Sequence, residues 1–72
     1  RSNMKNEITF IVERLDDGSY TGRAIGEAIF TEAEDEIGIK ENIKDAVICH
    51  FNNNEKPKFI HLHYVVDELL TI

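Results

Sequence analysis

Apolar and polar positions alternate along the first part of the chain, and the period then changes. Ile8, Phe10 and Val12 interleave with Thr9, Ile11 and Glu13, the two-residue repeat of a strand. β-branched and aromatic side chains dominate this run. Ile11 makes its second face partly apolar, so the strand belongs in the middle of a sheet. Asp16-Asp17-Gly18-Ser19 reads as a turn, with Asp accepting from nearby amides and Gly18 supplying positive φ. An Asp-Gly pair between two alternating runs signals a hairpin. Residues 20–25 form the returning strand, with Tyr20, Gly22 and Ala24 on one face and Thr21, Arg23 and Ile25 on the other. The small residues at 22 and 24 leave room for a helix to approach closely. Gly26 and Glu27 break the run, and residues 28–31 make a short third strand.

From residue 33 to 51 the spacing becomes helical. Ile39, Ile43, Ala46, Val47 and His50 fall on one stripe. Asp35 is the expected N-cap, and Glu34 and Glu36 suit the positive end of the helix dipole. Glu36/Lys40 and Glu41/Lys44 are oppositely charged pairs on the solvent side. Gly38 weakens the first turn by about 1 kcal/mol relative to alanine. Ile37 lies off the stripe, and contact with the preceding loop is its expected place. Asn52-Asn53-Asn54 is expected to end the helix through a left-handed residue, and Pro57 prevents continuation. Residues 59–66 return to period two, with Ile60, Leu62, Tyr64 and Val66 facing one way and Phe59, His61, His63 and Val65 the other. Residues 67–72 have two paths open, an extension of that strand after a bulge or a short terminal turn.

These elements predict an α+β fold: a two-layer β-β-β-α-β arrangement with a four-stranded mixed sheet in the order 3-2-1-4. Strands one to three form a meander. The helix crosses back, right-handed, and strand four runs parallel to central strand one. One helix covers one face, that of Phe10, Val12, Leu62 and Tyr64. The other face, with Thr9, Ile11, Thr21, Arg23, His61 and His63, is left uncovered.

Length sharpens this picture. Seventy-two residues allow one domain, which is marginal in stability unless its core is supplemented. Cys49 is the only cysteine, so no intrachain disulfide can help. Self-association into a homodimer or higher homo-oligomer is the expected supplement. Arg1, Ser2 and Asn3 precede Met4 and read as an expression remnant, leaving 4–72 as the single domain. The chain has 14 Asp+Glu against 8 Lys+Arg, formally −6. That charge disfavours direct nucleic-acid binding and anionic membrane surfaces, and suits solubility or a basic protein partner. A lone cysteine, no apolar leader and no apolar run near about 20 residues point to the cytoplasm.

The order of these parts resembles a known family. HicB-like domains carry a strand, an acidic Asp-Gly turn, an aromatic residue opening strand two, a short third strand and a helix with an Asn-x-x-x-Ala element. Here these are residues 8–13, Asp16-Asp17-Gly18, Tyr20, residues 29–31, and Asn42 with Ala46. Over residues 5–66 the chain is similar to the N-terminal domain of HicB-like antitoxins. It departs from that pattern in two places. Residues 24–28 lack the family's proline, and Ala33-Glu34-Asp35 stands where Gly-Asp-Thr is usual. The sequence stops at Ile72 without the C-terminal DNA-binding domain of full HicB antitoxins, so operator binding is not implied. The resemblance implies a stand-alone interaction domain that catalyses nothing, with two histories equally open: one that sequesters a small basic toxin, or a relative that has lost its toxin.

Candidate chemistry is sparse. His61 and His63 project from one face of a strand and could ligate a zinc or nickel ion, but a third ligand is missing and no cofactor is expected. This metal- or small-ligand-binding reading is the alternative function. Cys49 and His50 are helix neighbours pointing about 100° apart, so they cannot act as nucleophile and base. Cys49 is expected to be a small packing residue. The acidic run at Glu32, Glu34, Asp35 and Glu36 lacks the spacing of a calcium loop. Thr21, Arg23, His61 and His63 on the uncovered face, with the edge of strand four, are the candidate partner-binding residues. Arg23 is expected to pair with Glu13 on the neighbouring strand.

Overall fold

The computed structural model describes residues 6–52, 54–65 and 70–72. Its elements are β1 (Glu7–Arg14), β2 (Tyr20–Ala24), β3 (Phe30–Ala33), α1 (Glu36–His50) and β4 (Phe59–Val65). The sheet order is β3-β2-β1-β4, with β1 antiparallel to β2 and parallel to β4. This is the α+β topology that the alternation predicts. The reading of Arg1–Asn3 as a remnant falls outside the described residues, as do Val66 and the first part of the path from 67 to 72. Leu70, Thr71 and Ile72 lie in neither helix nor strand and are exposed.

The hairpin between β1 and β2 is closed by backbone bonds and by the Asp17 side chain. The Leu15 amide donates to the Ser19 carbonyl at 2.8 Å, and the Gly18 amide donates to the Leu15 carbonyl at 3.0 Å. Gly18 sits at φ 90°, where a side chain would strain the turn. Asp17 Oδ1 accepts from the Ser19 hydroxyl at 2.6 Å and from its amide at 2.9 Å. After β2, Gly26 turns the chain at φ 89°. The third strand starts at Phe30, two residues later than expected, because Ile29 turns inward into the core before the ladder begins.

The core is one layer of side chains between sheet and helix. Ile8, Phe10 and Val12 of β1, Ala24 and Ile29 meet Ile39, Ile43 and Val47 of α1. Gly22 lets the helix come close: a Cβ there would stand 2.9 Å from Ile43 Cδ1. The cap is Asp35, whose Oδ1 accepts from the Gly38 amide at 2.7 Å. The same contact explains a glycine in the first turn. A Cβ at Gly38 would sit 3.0 Å from that oxygen and 3.2 Å from Ala33 Cβ.

Three expectations about the helix are corrected. It lies over β2 and β3, so β4 at the far edge is only partly shielded. Leu62 is half-buried and Tyr64 is 40 % exposed. The cause is the link from β3 to α1, only Glu34 and Asp35, which starts the helix above β3. Second, the helix ends on Phe51 in an extended conformation (φ −107°, ψ 150°), its amide donating to the Val47 carbonyl. Among the described residues no non-glycine residue has positive φ, and Asn53 falls outside them. Third, Cys49 and His50 are exposed, because the last turn passes beyond the core. Ile37, expected against the preceding loop, is likewise exposed. Of the two predicted helix ion pairs, Glu36–Lys40 forms, at 3.7 Å.

Candidate functional site

Strand register decides which side chains meet on the face away from α1. Thr21 stands opposite Glu13 and Glu32, while Arg23 stands opposite Ile11 and Phe30. On the other side of β1, Ile11 pairs with His63 and Thr9 with His61. One row therefore crosses all four strands: Phe30, Arg23, Ile11, His63. Paired residues of neighbouring strands share a face, so the four expected partner-binding residues lie together on the uncovered side. Arg23, His61 and His63 are exposed, and Thr21 is half-buried between its neighbours.

Arg23 lies across from Ile11, one step away from Glu13, and no ion pair joins Arg23 to Glu13. The expected pair gives way to an arginine between two apolar side chains. Phe30 is 61 % exposed on this face, and Phe59 at the start of β4 is 65 % exposed. A large aromatic side chain left in water beside an arginine has the composition of an interface core rather than of a solvated sheet. Phe30 is the functional candidate that the chain alone does not single out. Its signal was the inward Ile29 beside it, which obliges Phe30 to face out.

The histidines separate. His61 Nδ1 lies 4.0 Å from Glu7 Oε2 on the uncovered face. His50 Nε2 lies 3.1 Å from Glu27 Oε1, joining the end of α1 to the β2–β3 turn. Among the described residues no three His, Cys, Asp or Glu side chains are grouped to hold a metal ion.

The two sheet edges differ. On β3, the Glu32 carbonyl accepts from Asn42 Nδ2 of α1 at 2.9 Å, so the helix closes part of that edge. Asn42 is the residue of the Asn-x-x-x-Ala element. On β4, no described strand pairs with the outer edge over seven residues. Chain entry into β4 is fixed by the Lys58 and Phe59 amides, which both donate to the Asn6 carbonyl. A cleft of about 270 Å³ opens near this end, with Ile8, Ile25, Phe51 and Pro57 as apolar floor and Glu7 and Glu27 at its rim.

Two titrations are displaced. The Asp17 carboxyl lies below the usual aspartate range, chiefly through the Ser19 hydroxyl and then the Ser19 amide. The Tyr64 phenol is pushed up, first by partial burial and then by the negative Glu36, to which it donates at 3.3 Å. The first belongs to the hairpin turn, and the second ties β4 to the first turn of α1. Among the described residues no helix is long and apolar enough to cross a membrane.

No protein-family model matches the chain, and no solved structure matches it. Two curated relatives do. A UPF0150 protein of Archaeoglobus fulgidus is 53 % identical over 51 residues, 71 % of this chain and 76 % of that protein. A UPF0150 protein of Thermotoga maritima is 35 % identical over 68 residues, 94 % of this chain and 96 % of that protein.

Proposed function

The chain belongs to the UPF0150 family, and we propose that it works as a HicB-like protein-interaction module that binds partners and catalyses nothing. The observation that carries this reading is the row Phe30–Arg23–Ile11–His63 on the uncovered face, beside a β4 edge with no described neighbour. The face takes a second copy, giving a homodimer or higher homo-oligomer. The β4 edge takes an extended segment of a partner by strand addition. A net charge of −6 draws in a basic partner, consistent with a small basic toxin held inactive in the cytoplasm.

Light scattering on the wild type and on Phe30→Asp tests the face. The wild type should have a mass of two or more 8.3 kDa chains, and the variant at most half of the wild-type mass. A pull-down from the native host should recover a small basic protein, and Arg23→Glu should recover less of it. A monodisperse monomer that retains no such protein would sink the proposal.

A further inference from the structure

The outer surface of α1 carries a pattern that the uncovered sheet face does not absorb. Ile37, Glu41, Lys44 and Ile48 follow one another at spacings of four, three and four residues. That spacing sets them in one stripe along the helix. The stripe lies on the side away from the buried Ile39, Ile43 and Val47. All four are exposed, Ile37 at 76 % and Ile48 at 56 %. One exposed isoleucine is ordinary. Two of them closing the ends of a four-three-four seam match the spacing by which helices pack in pairs.

The seam reads the same in reverse. Against an antiparallel copy, about a two-fold axis passing between Asn42 and Ile43, Ile37 meets Ile48 of the second copy. Glu41 meets Lys44 of the second copy, and each contact occurs twice. In a parallel copy, Glu41 would face Glu41 and Lys44 would face Lys44, and like charges repel. The charge order therefore selects one direction. Among the described residues neither Glu41 nor Lys44 has an ion-pair partner within its own chain. Beside the seam, a groove of about 270 Å³ runs between α1 and β4, floored by Ile43, Ile60 and Leu62. It exists because the helix is displaced toward β3, and a second helix on the seam would shield it.

We propose that the outer face of α1 is a self-docking surface that pairs antiparallel with the same face of a second copy. It lies on the side of the molecule opposite the uncovered sheet face, so the two surfaces can act at once. One helix presents far less than the roughly 800 Å² per partner of a standard interface, so the contact is weak and depends on concentration.

Sedimentation equilibrium on the full chain carrying Phe30→Asp, which silences the sheet face, isolates this contact. Glu41→Lys and Lys44→Glu should each raise its dissociation constant about tenfold, since two attractive pairs become repulsive. The double exchange E41K/K44E restores opposite charges across an antiparallel pair and should return the constant to within about threefold of its starting value. Singles without effect, or a double variant as weak as the singles, would overturn the proposal. A second measurement, on the chain without Phe30→Asp, uses the exposed native Cys49 as the site of a nitroxide label. The rise per residue places the two labels about 20–25 Å apart along an antiparallel pair. A parallel pair would hold them within roughly 15 Å. Pulsed electron resonance should find the longer distance, and Glu41→Lys should remove it. Its absence, or its survival in that variant, would reject the arrangement.

Discussion

Gly22→Ala sets two effects of opposite sign against each other in one atom. Alanine in a strand interior is favoured over glycine by about 0.5–1 kcal/mol, because glycine loses more backbone freedom on folding. At this position the added Cβ would lie 2.9 Å from Ile43 Cδ1, 3.3 Å from Ile43 Cγ1 and 3.7 Å from Ile39 Cδ1. Carbon atoms rest at about 3.5–4.0 Å, so Ile43 must retreat by most of an ångström. Ile43 is among the most completely buried side chains and has Ile39 and Val47 around it. Overpacking of that kind costs about 1–3 kcal/mol and outweighs the backbone gain. The net expectation is destabilisation of about 1–2 kcal/mol, roughly 4–8 °C in Tm per kcal/mol for a domain of this size. Urea unfolding should give a lower midpoint with an unchanged slope. Ile43→Val removes the clashing Cδ1 and alone costs about 0.5–1.5 kcal/mol. In Gly22→Ala with Ile43→Val, the two losses should therefore sum to more than the loss actually measured. A Gly22→Ala protein as stable as the wild type, or a strictly additive double variant, would refute the claim that residue 22 is small because the helix rests on it.

Other outcomes follow from single contacts. Asp35→Ala removes the acceptor for the Gly38 amide and should cost about 0.5–2 kcal/mol in chemical denaturation; a loss within error would mean the cap is idle. Asp17 should titrate below the ordinary aspartate range by NMR, and Ser19→Ala should move it upward. Since the folded pKa is the lower one, any stability from this turn is full above the unfolded pKa and fades as pH falls through the folded one; an unmoved titration would remove Ser19 as the cause. Tyr64 should ionise above the ordinary tyrosine range by ultraviolet titration, and Glu36→Gln should bring it part of the way down. Here the folded state favours the neutral phenol, so the linked stability is present below the unfolded tyrosine pKa and is lost as pH rises through the folded one. A Tyr64 pKa untouched by Glu36→Gln would remove Glu36 as a cause.

Much of this architecture was legible because alternation and helical spacing are local. They assign Phe10 and Val12 to the covered face, Arg23 and His63 to the uncovered one, and Asp35 to the cap, and all of these hold. What they do not encode is where across the sheet the helix lies. That depends on the short Glu34-Asp35 link and on the gap above Gly22, which together draw α1 toward β2 and β3. Tyr64 has the right parity for burial and still reaches water, and His50 has the right phase and still leaves the core to meet Glu27. Phe30 is a related case. The expected strand opens on Ala28 and the observed one on Phe30, and only the register reveals that residue's company with Arg23.

The bond from Asn42 to the Glu32 carbonyl has a result beyond its own energy. A ribbon whose flanks are both bare can be extended without limit, one molecule after another. Stitching part of one flank to the helix leaves β4 the more open of the two described edges. Strand addition is therefore favoured at β4 over β3.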